Sequence, residues 1–289
     1  MLVFDRMQVR RQRARAVATL GQADFLFREV GERLADRLLD IRRTFPVALE
    51  LGARAGALHE GQAGIEYLVR ADHVPGHGVQ VVADEEILPF GEGSLDLVFA
   101  PAGLHTVNDL PGALAQIARA LKPDGLFLAA MFGGETLSEL RDCLLAAELE
   151  IEGGGSPRVS PFAGLQDAAG LLQRAGFALP VADSETITVT YADPFALMRD
   201  LRHMGEANAV HLRRRTPTRR ATLFRAAELY LERYAGPDGR VPATFQVMTL
   251  TGWRPHISQQ KALRPGSAKS RLADALGVPE IPAGEKAGR

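Results

Sequence analysis

The sequence predicts an α/β fold in which short apolar strands alternate with amphipathic helices. Apolar runs recur along the chain and end in glycine, proline or acidic residues, and stretches with helical apolar spacing lie between several of them. Residues 95–137 contain one whole unit: a strand, a loop with His105, a helix, the turn Lys122-Pro123-Asp124-Gly125, and a strand that ends in Gly133-Gly134-Glu135. Such alternation indicates a parallel sheet, which binds ligands at the carboxyl ends of its strands.

The first 44 residues are predicted to form a helical N-terminal cap. Residues 8–43 place apolar side chains at three- and four-residue spacing, with charged side chains between them. Phe45-Pro46 ends this region, because a residue before proline avoids the helical conformation. The arginine-rich start is similar to an organelle presequence, but Asp5 and the apolar Leu2-Val3-Phe4 favour a packed segment.

Residues 45–256 are predicted to form one α/β domain. The predicted strands are 47–51, 65–71, 79–82, 95–100, 126–131, 186–191 and 244–253. Helices are predicted at 111–121, 136–150 and 163–175, another can begin within 58–64, and a helical insertion covers about 194–235 before the last strand. Residues 257–289 are rich in Gln, Ser, Lys, Gly and Pro, so a disordered tail is expected.

Composition excludes several classes of protein. The formal charge is -1, from 34 basic and 35 acidic side chains, so no attraction to nucleic acid is expected. No apolar run reaches the roughly 20 residues of a membrane span, although peripheral membrane contact stays open. Cys143 is the single cysteine, which excludes an intrachain disulfide and a cysteine-based zinc site. A reducing compartment suits such a chain, and the expected location is cytoplasmic.

Acids and glycines after the first three strands predict a pocket for a nucleoside-bearing cofactor. The residues of this predicted site are Glu50, Gly52, Arg54, Gly56, Asp72, Asp84 and Glu85. A tight glycine turn lets backbone amides approach a ligand. Asp72 lies 20 residues after Gly52, an offset at which an acid can accept both hydroxyls of a ribose. Asp84 would meet the amino edge of a purine. The alternative for the glycines is an ordinary strand-to-helix turn.

His105 and Glu135 are the candidate catalytic residues. His105 can act as a general base, or it can cap or pack its loop. Glu135 can face the pocket, or it can lie in the first turn of its helix, where a negative charge is favourable. The seven histidines include no His-x-Asp or His-x-Glu pair, so no metal site is expected.

A run of arginines without a nearby acid in the sequence allows two interpretations. Its members are Arg213, Arg214, Arg215, Arg219, Arg220 and Arg225. The run is either a solvated helix face or a surface that binds an acidic protein partner.

The order of motifs resembles the class I S-adenosylmethionine-dependent methyltransferases. The shared motifs are Glu50-Leu51-Gly52-Ala53-Arg54-Ala55-Gly56, Asp72, Ala83-Asp84-Glu85-Glu86, Leu88-Pro89-Phe90, Leu95-Asp96-Leu97-Val98 and Leu121-Lys122-Pro123-Asp124-Gly125. A more specific resemblance, over nearly the whole chain, is to the mitochondrial complex I assembly factor 5 family and its bacterial relatives. It rests on Phe4-Asp5-Arg6, residues 153–162, Arg174-Ala175-Gly176-Phe177, Met204-Gly205-Glu206-Ala207-Asn208, residues 241–246 and Gly252-Trp253.

The resemblance implies a Rossmann-like seven-stranded methyltransferase fold with S-adenosylmethionine as cofactor. It also implies a protein substrate, since the mitochondrial member is known as an arginine hydroxylase that acts on a subunit of respiratory complex I. Bacterial members are usually labelled methyltransferases, and biotin-synthesis methyltransferases are more distant relatives. A non-catalytic assembly factor or chaperone is the alternative.

Two features depart from the pattern of the methyltransferases. Arg54 replaces the middle glycine of the usual Gly-x-Gly-x-Gly loop, where the methionine part of the cofactor lies. This side chain can pair with the cofactor carboxylate or obstruct binding. In addition, only residues 73–78 separate Asp72 from the third strand, where a helix is usual.

Overall fold

Seven strands form one mixed sheet in the computed structural model, which describes residues 2–54, 56–76, 78–260 and 272–279. The strands are β1 (Val47–Leu51), β2 (Tyr67–Asp72), β3 (Val81–Val82), β4 (Leu95–Pro101), β5 (Leu121–Phe132), β6 (Ala178–Tyr191) and β7 (Val241–Trp253). Their order across the sheet is β3-β2-β1-β4-β5-β7-β6. β1 to β5 are parallel, and β7 is antiparallel to both β5 and β6.

The Rossmann-like α/β fold predicted from the sequence is confirmed, but the expectation of a wholly parallel sheet is wrong. β7 inserts between β5 and β6 in the opposite direction. Alternation of strands and helices predicts parallel neighbours only where each connection crosses the full length of the sheet. The long connection between β6 and β7 instead returns the chain at the end of the sheet where β6 finished, with Tyr191 paired to Val241.

Eight α-helices lie in the described part of the chain. They are α1 (Arg6–Ala16), α2 (Phe25–Asp36), α3 (Leu110–Ala120), α4 (Ser138–Glu152), α5 (Leu165–Arg174), α6 (Pro194–His203), α7 (Arg220–Tyr234) and the short α8 (Leu272–Leu276). The predicted helical region 8–43 is therefore two helices, separated by residues 17–24.

The helix expected within residues 58–64 is absent from the described residues between β1 and β2. Only one turn of 3₁₀ helix forms there, at Gln62–Gly64. Gly61, Ala63 and Gly64 all have positive φ, at 88°, 50° and 72°, which right-handed helix cannot accommodate.

The two faces of the sheet are covered by different helices. α2, α4, α6 and α7 pack on one face against side chains such as Leu97 and Leu126. α3 and α5 pack on the other face against Val98 and Phe127. Successive residues of β4 and β5 point to opposite faces, and helices cover both faces. The two central strands are therefore buried on both sides, and their sequences are nearly continuous apolar runs.

The N-terminal segment is packed against the carboxyl ends of the parallel strands. Phe4 forms a bridge with Val210, and the backbone N–H of Asp5 donates to the carbonyl of Ala209 over 2.8 Å. The side chain of Asn108, in the loop after β4, accepts hydrogen bonds from the backbone N–H groups of Val3 and Phe4 over 2.8 Å each. These contacts hold α1 beside the loops that follow β2, β3 and β4.

The tail 257–289, predicted to be disordered, lies largely outside the described residues, which include only 257–260 and 272–279 of it. Among the described residues, no helix has both the length and the apolar character required to cross a membrane.

Candidate functional site

The loops after β1 and β4 approach each other at two glycines. Gly52 has a φ of 77°, and its N–H donates to the carbonyl of Ala71 in β2 over 2.8 Å. A Cβ atom at Gly52 would lie 3.2 Å from the Cα of Gly103, in the loop after β4. Glycine adopts this left-handed conformation readily and leaves room for the approach. Gly52 thus allows the ends of β1, β2 and β4 to converge.

Glu50 supports the glycine loop from within β1. One carboxylate oxygen accepts from the backbone N–H of Ala57 over 2.7 Å, and the other accepts from Nε of Arg70 over 3.0 Å. The residue is fully buried, and burial raises the pKa of its carboxyl group despite these hydrogen bonds. Its two oxygens are used inside the protein, so Glu50 fixes the course of the loop after β1.

The acids predicted after β2 and β3 lie together, and two arginines of α1 contact them. Nη1 of Arg13 lies 2.7 Å from Glu85 and 3.6 Å from Asp72. Nη2 of Arg6 lies 2.5 Å from Asp84 and also contacts Glu85. One helix from the N-terminus therefore supplies the counter-charges for three acids.

These ion pairs determine the ionisation of the acids. Burial opposes ionisation of Glu85, but the charges of Arg13 and Arg6 outweigh it and lower the pKa of Glu85 to about 2. Burial also opposes ionisation of Asp84. A hydrogen bond from His73 and the charge of Arg6 nevertheless hold the pKa of Asp84 well below its usual range. Both acids are carboxylates at neutral pH.

Asp72 has a carboxylate oxygen available for a ligand. The residue is 2% exposed, and its Oδ2 is buried without a hydrogen-bond partner among the described residues. A buried oxygen without a donor is costly, and ribose hydroxyls would provide donors. The cavity beside it, bounded by Arg13, Ala53 and Arg54, has a volume of about 20 Å³. The free acceptor of Asp72 thus suits a ribose hydroxyl, but α1 and Arg54 leave space for about one water molecule, so a nucleoside binds here only if they move.

Arg54 lies over the glycine loop in a set of close contacts. Its guanidinium is 2.5 Å from Oε1 of Glu206, and it donates to the carbonyl of Ala102 over 2.5 Å and of Met204 over 3.4 Å. The guanidinium carbon lies 4.0 Å from the ring centroid of Phe27, in cation–π geometry. The arginine that departs from the methyltransferase pattern therefore forms its ion pair with Glu206 and not with the acids at the ends of β2 and β3.

His105 lies on the other side of Glu206. Its Nε2 is 3.0 Å from Oε2 of Glu206, and its ring packs between Phe132 and Phe162 at centroid distances of 4.7 and 5.9 Å. Burial opposes ionisation of Glu206, but the charge of Arg54 and the interaction with His105 hold its pKa well below the usual range. Glu206 is therefore an anion between Arg54 and His105.

An apolar cavity of about 200 Å³ adjoins this trio and is partly lined by Glu206. Phe132, Phe162 and Phe245 form part of its wall, together with leucines and methionines of α2, α4 and α6. Arg158 also lines it, but this charge is balanced by the buried Glu148, with which it forms an ion pair. An apolar cavity with few convergent polar groups is typical of a small ligand site.

The two predicted catalytic residues lie in different environments. His105 is 4% exposed and adjoins the carboxylate of the cavity. Glu135 is exposed in the turn before α4, and the cavity lining does not include it. Reasoning from spacing missed Glu206 and Arg13 as site residues. Both are distant in sequence from the residues that they contact, and only the motif Met204-Gly205-Glu206-Ala207-Asn208 drew attention to one of them.

One cluster in the described residues has the composition of a metal site. His73, Asp84 and Glu85 offer ligand atoms within 4.8 Å of one another. Nε2 of His73 lies 3.1 Å from Oδ2 of Asp84. Arg6 contacts both acids and Arg13 contacts Glu85, so two guanidinium groups already neutralise these carboxylates. A divalent cation would have to compete with them.

The arginine run has acidic partners from elsewhere in the chain. Arg213 lies 3.0 Å from Asp5, Arg225 lies 2.7 Å from Glu150, and Arg214 forms an ion pair with Glu152. Asp5, Glu150 and Glu152 belong to the N-terminal segment and α4, so the sequence pattern did not reveal these pairs, and Arg225 also contacts Glu228 and Glu232 of its own helix. Half of the run is therefore used in internal ion pairs.

The chain matches known proteins at two levels. A family described as a methyltransferase domain matches residues 51–129. The arginine-hydroxylase NDUFAF5 of Danio rerio, named as mitochondrial, is 44% identical over 95% of this chain and 89% of its own length. The corresponding protein of Homo sapiens is 44% identical over 92% and 81%. The chain belongs to the arginine-hydroxylase NDUFAF5 family.

More distant relatives include methyltransferases. A malonyl-[acyl-carrier protein] O-methyltransferase of Halorhodospira halophila is 33% identical over 92% of this chain and 94% of its own length. The YcgJ protein of Bacillus subtilis superposes on the fold with a TM-score of 0.51 at 14% identity, over 77% of this chain and 98% of that one. The predicted membership of the S-adenosylmethionine-dependent methyltransferase superfamily, and with it the cofactor type, is confirmed.

The expected cytoplasmic location is wrong. The NDUFAF5 relatives from fish, rodents and human are named as mitochondrial proteins. The expectation rested on Cys143 being the single cysteine. A low cysteine count excludes an internal disulfide, but it does not distinguish one reducing compartment from another.

Proposed function

We propose that this chain is an S-adenosylmethionine-dependent enzyme that modifies an arginine side chain of a protein, and that this protein is a subunit of respiratory complex I. The family supports the residue type, since the NDUFAF5 relatives are named arginine hydroxylases. The resemblance of the N-terminal and C-terminal motifs to complex I assembly factors supports the partner.

The apolar cavity that Glu206 partly lines is the observation that carries the proposal. Its volume of about 200 Å³ is below the ~300–1,000 Å³ of pockets for drug-sized ligands, which suits one side chain of a larger substrate. Its aromatic walls suit the methylenes of an arginine, and its inner carboxylate suits a cation. The cavity also adjoins Arg54, which belongs to the glycine loop of the cofactor site.

The residues of the chain have separate tasks in this proposal. Asp72 would hold the ribose, Asp84 and Glu85 the purine edge, and Arg54 is the cation available to the cofactor carboxylate. The cofactor, when bound, supplies an activated methyl group. His105 orients Glu206 and excludes water together with the phenylalanines that flank it. Positioning in a dry cavity is the expected source of most of the rate.

Mass spectrometry tests the proposed function. Complex I subunits from cells with and without this gene are digested, and arginine-containing peptides are compared. We expect one arginine to lose an added group when the gene is deleted and to regain it with the wild-type gene but not with Asp72→Asn. Methyl and hydroxyl groups differ in mass, so the measurement also identifies the reaction. Identical arginine modification in both cell lines would refute the proposal.

A non-catalytic assembly factor is the second candidate, and the 20 Å³ cavity beside Asp72 favours it. In that case the contacts of Arg6 and Arg13 with the acids would be permanent. Calorimetric titration with S-adenosylmethionine distinguishes the two. Saturable heat supports the enzyme. The assembly factor is supported if millimolar cofactor gives no heat while deletion of the gene still abolishes complex I activity.

A further inference from the structure

We infer that Glu206 is the specificity residue for the guanidinium of a substrate arginine, and that Arg54 occupies its binding place in the free protein. This inference rests on the proposed function, because it assigns the substrate contact within the proposed cavity. It differs from a purely structural ion pair in one respect: removal of the arginine should create a binding site.

Glu206 is the charge of the trio that opens onto the cavity. Its side chain retains 13% exposure, whereas the side chains of Arg54 and His105 retain 6% and 0%. It lines the cavity, and its carboxylate is ionised at neutral pH. A side chain bound in this cavity would therefore meet an anion in its lining.

The surroundings of Arg54 have the features of a guanidinium site. A carboxylate and a main-chain carbonyl each lie 2.5 Å from guanidinium nitrogens, and the ring of Phe27 faces the guanidinium carbon. Carboxylate pairing, carbonyl acceptance and stacking on an aromatic face are the contacts by which arginine is bound in proteins. Arg54 therefore occupies, with its own guanidinium, the place where the guanidinium of a substrate arginine can bind.

Arg54 does not satisfy this site completely. The residue is 7% exposed, and its Nε is buried without a hydrogen-bond partner among the described residues. An unpaired buried donor lowers the net stability of the contact, which makes displacement less costly. Arg54 also lies in the loop after β1, outside any helix or strand. The arginine can therefore leave Glu206 without disruption of a helix or a strand.

The remaining charges of the cavity are compatible with a cation beside Glu206. Arg158 is neutralised by Glu148. Arg202 lines the cavity and is exposed, so water screens its charge. The carboxylate of Glu206 is thus the charge that a buried side chain would contact.

Titration of the full chain with N-acetyl-arginine methylamide tests the inference without cofactor or turnover. The citrulline analogue, which has the same shape and no charge, is the matched control ligand. We expect Arg54→Met to bind the arginine compound at least tenfold more tightly than the wild type, since Glu206 is freed. We expect neither protein to bind the citrulline compound. The Arg225→Met variant, which removes a half-buried arginine of α7 that is paired with Glu150 and does not line the cavity, should behave as the wild type.

A double variant tests whether the gain in affinity depends on Glu206. Glu206→Gln alone leaves Arg54 buried without its partner, whereas Arg54→Met with Glu206→Gln removes both charges and preserves the neutrality of the site. The double variant should lose the gain in affinity. Equal affinity in Arg54→Met and in the double variant would overturn the inference. The titration measures binding of an arginine compound and the mass-spectrometric test measures modification of a protein. Failure of this inference can therefore be told apart from failure of the proposed function.

Discussion

Replacement of Arg13 by methionine should lower the free energy of unfolding by about 3 kcal/mol. The side chains of Arg13 and Glu85 are each 1% exposed and lie 2.7 Å apart, with Asp72 at 3.6 Å. Removal of one partner of a buried ion pair costs about 3–5 kcal/mol, because the other charge remains buried. Arg6 also contacts Glu85 and retains part of the compensation, so the lower end of the range is expected.

The pH dependence of stability gives a second measure of the same pair. Although burial opposes ionisation, Arg13 and Arg6 lower the pKa of Glu85 from 4.5 to about 2. At ~1.4 kcal/mol per pH unit, ionised Glu85 contributes on the order of 3 kcal/mol. A pKa that is lowered on folding contributes stability that is complete above 4.5 and is lost as the pH falls toward 2. The Arg13→Met protein should lose less stability than the wild type over this window.

Thermal unfolding, followed by circular dichroism from neutral pH down to this window, measures both effects. A loss of about 3 kcal/mol corresponds to a decrease in Tm of about 6–12 °C for a domain of this size. Arg33→Met is the control, since Arg33 is 45% exposed and the side chains of its partners Glu29 and Glu185 are 46% and 35% exposed. Such pairs contribute at most about 1 kcal/mol. Equal losses for the two variants, with parallel acid transitions, would refute the argument that Arg13 is the main counter-charge of the buried acids.

Three further predictions concern the glycine loop, the core and the cofactor. In denaturant titration, Gly52→Ala should lower the free energy of unfolding by about 1–3 kcal/mol, because alanine is strained at a φ of 77° and its Cβ would crowd the loop after β4. Gly134→Ala is the control and should be neutral, since a Cβ there meets open space. Tyr230→Phe should cost about 1 kcal/mol in the same assay, since its buried hydroxyl donates to the carbonyl of Pro242 over 2.7 Å. Asp72→Asn should weaken calorimetric binding of S-adenosylmethionine at least tenfold, and unchanged affinity would contradict the assignment of its free oxygen to the ribose.

The sequence predicts the strands of the sheet better than it predicts their direction. β1 occupies residues 47–51 as expected, because Pro46 and Gly52 bound a short apolar run. β7 also lies where its alternation places it, but its antiparallel direction depends on the end of the sheet at which α7 releases the chain. Periodicity reports which residues form a strand and contains no information about that connection.

The contacts of the predicted cofactor acids illustrate a second limit. Asp72, Asp84 and Glu85 could be located at strand ends from spacing, since parallel strands end at one edge of a sheet. Their pairing with Arg6 and Arg13 could not, because the arginines come from a helix more than fifty residues earlier in the chain. The sequence of an arginine-rich helix with one acidic cap predicts a solvent-exposed helix. Only the fold shows that buried acids contact it.

The departure at position 54 and the motif Met204-Gly205-Glu206-Ala207-Asn208 are two parts of one feature. A buried arginine in the glycine loop requires a nearby anion, because an unpaired buried charge costs several kcal/mol. Glu206 provides that anion from the segment after α6, and Ala102 completes the contact with its carbonyl. A chain with glycine at position 54 would instead leave Glu206 paired with His105 alone. The arginine therefore connects the glycine loop to the carboxylate that lines the adjoining cavity.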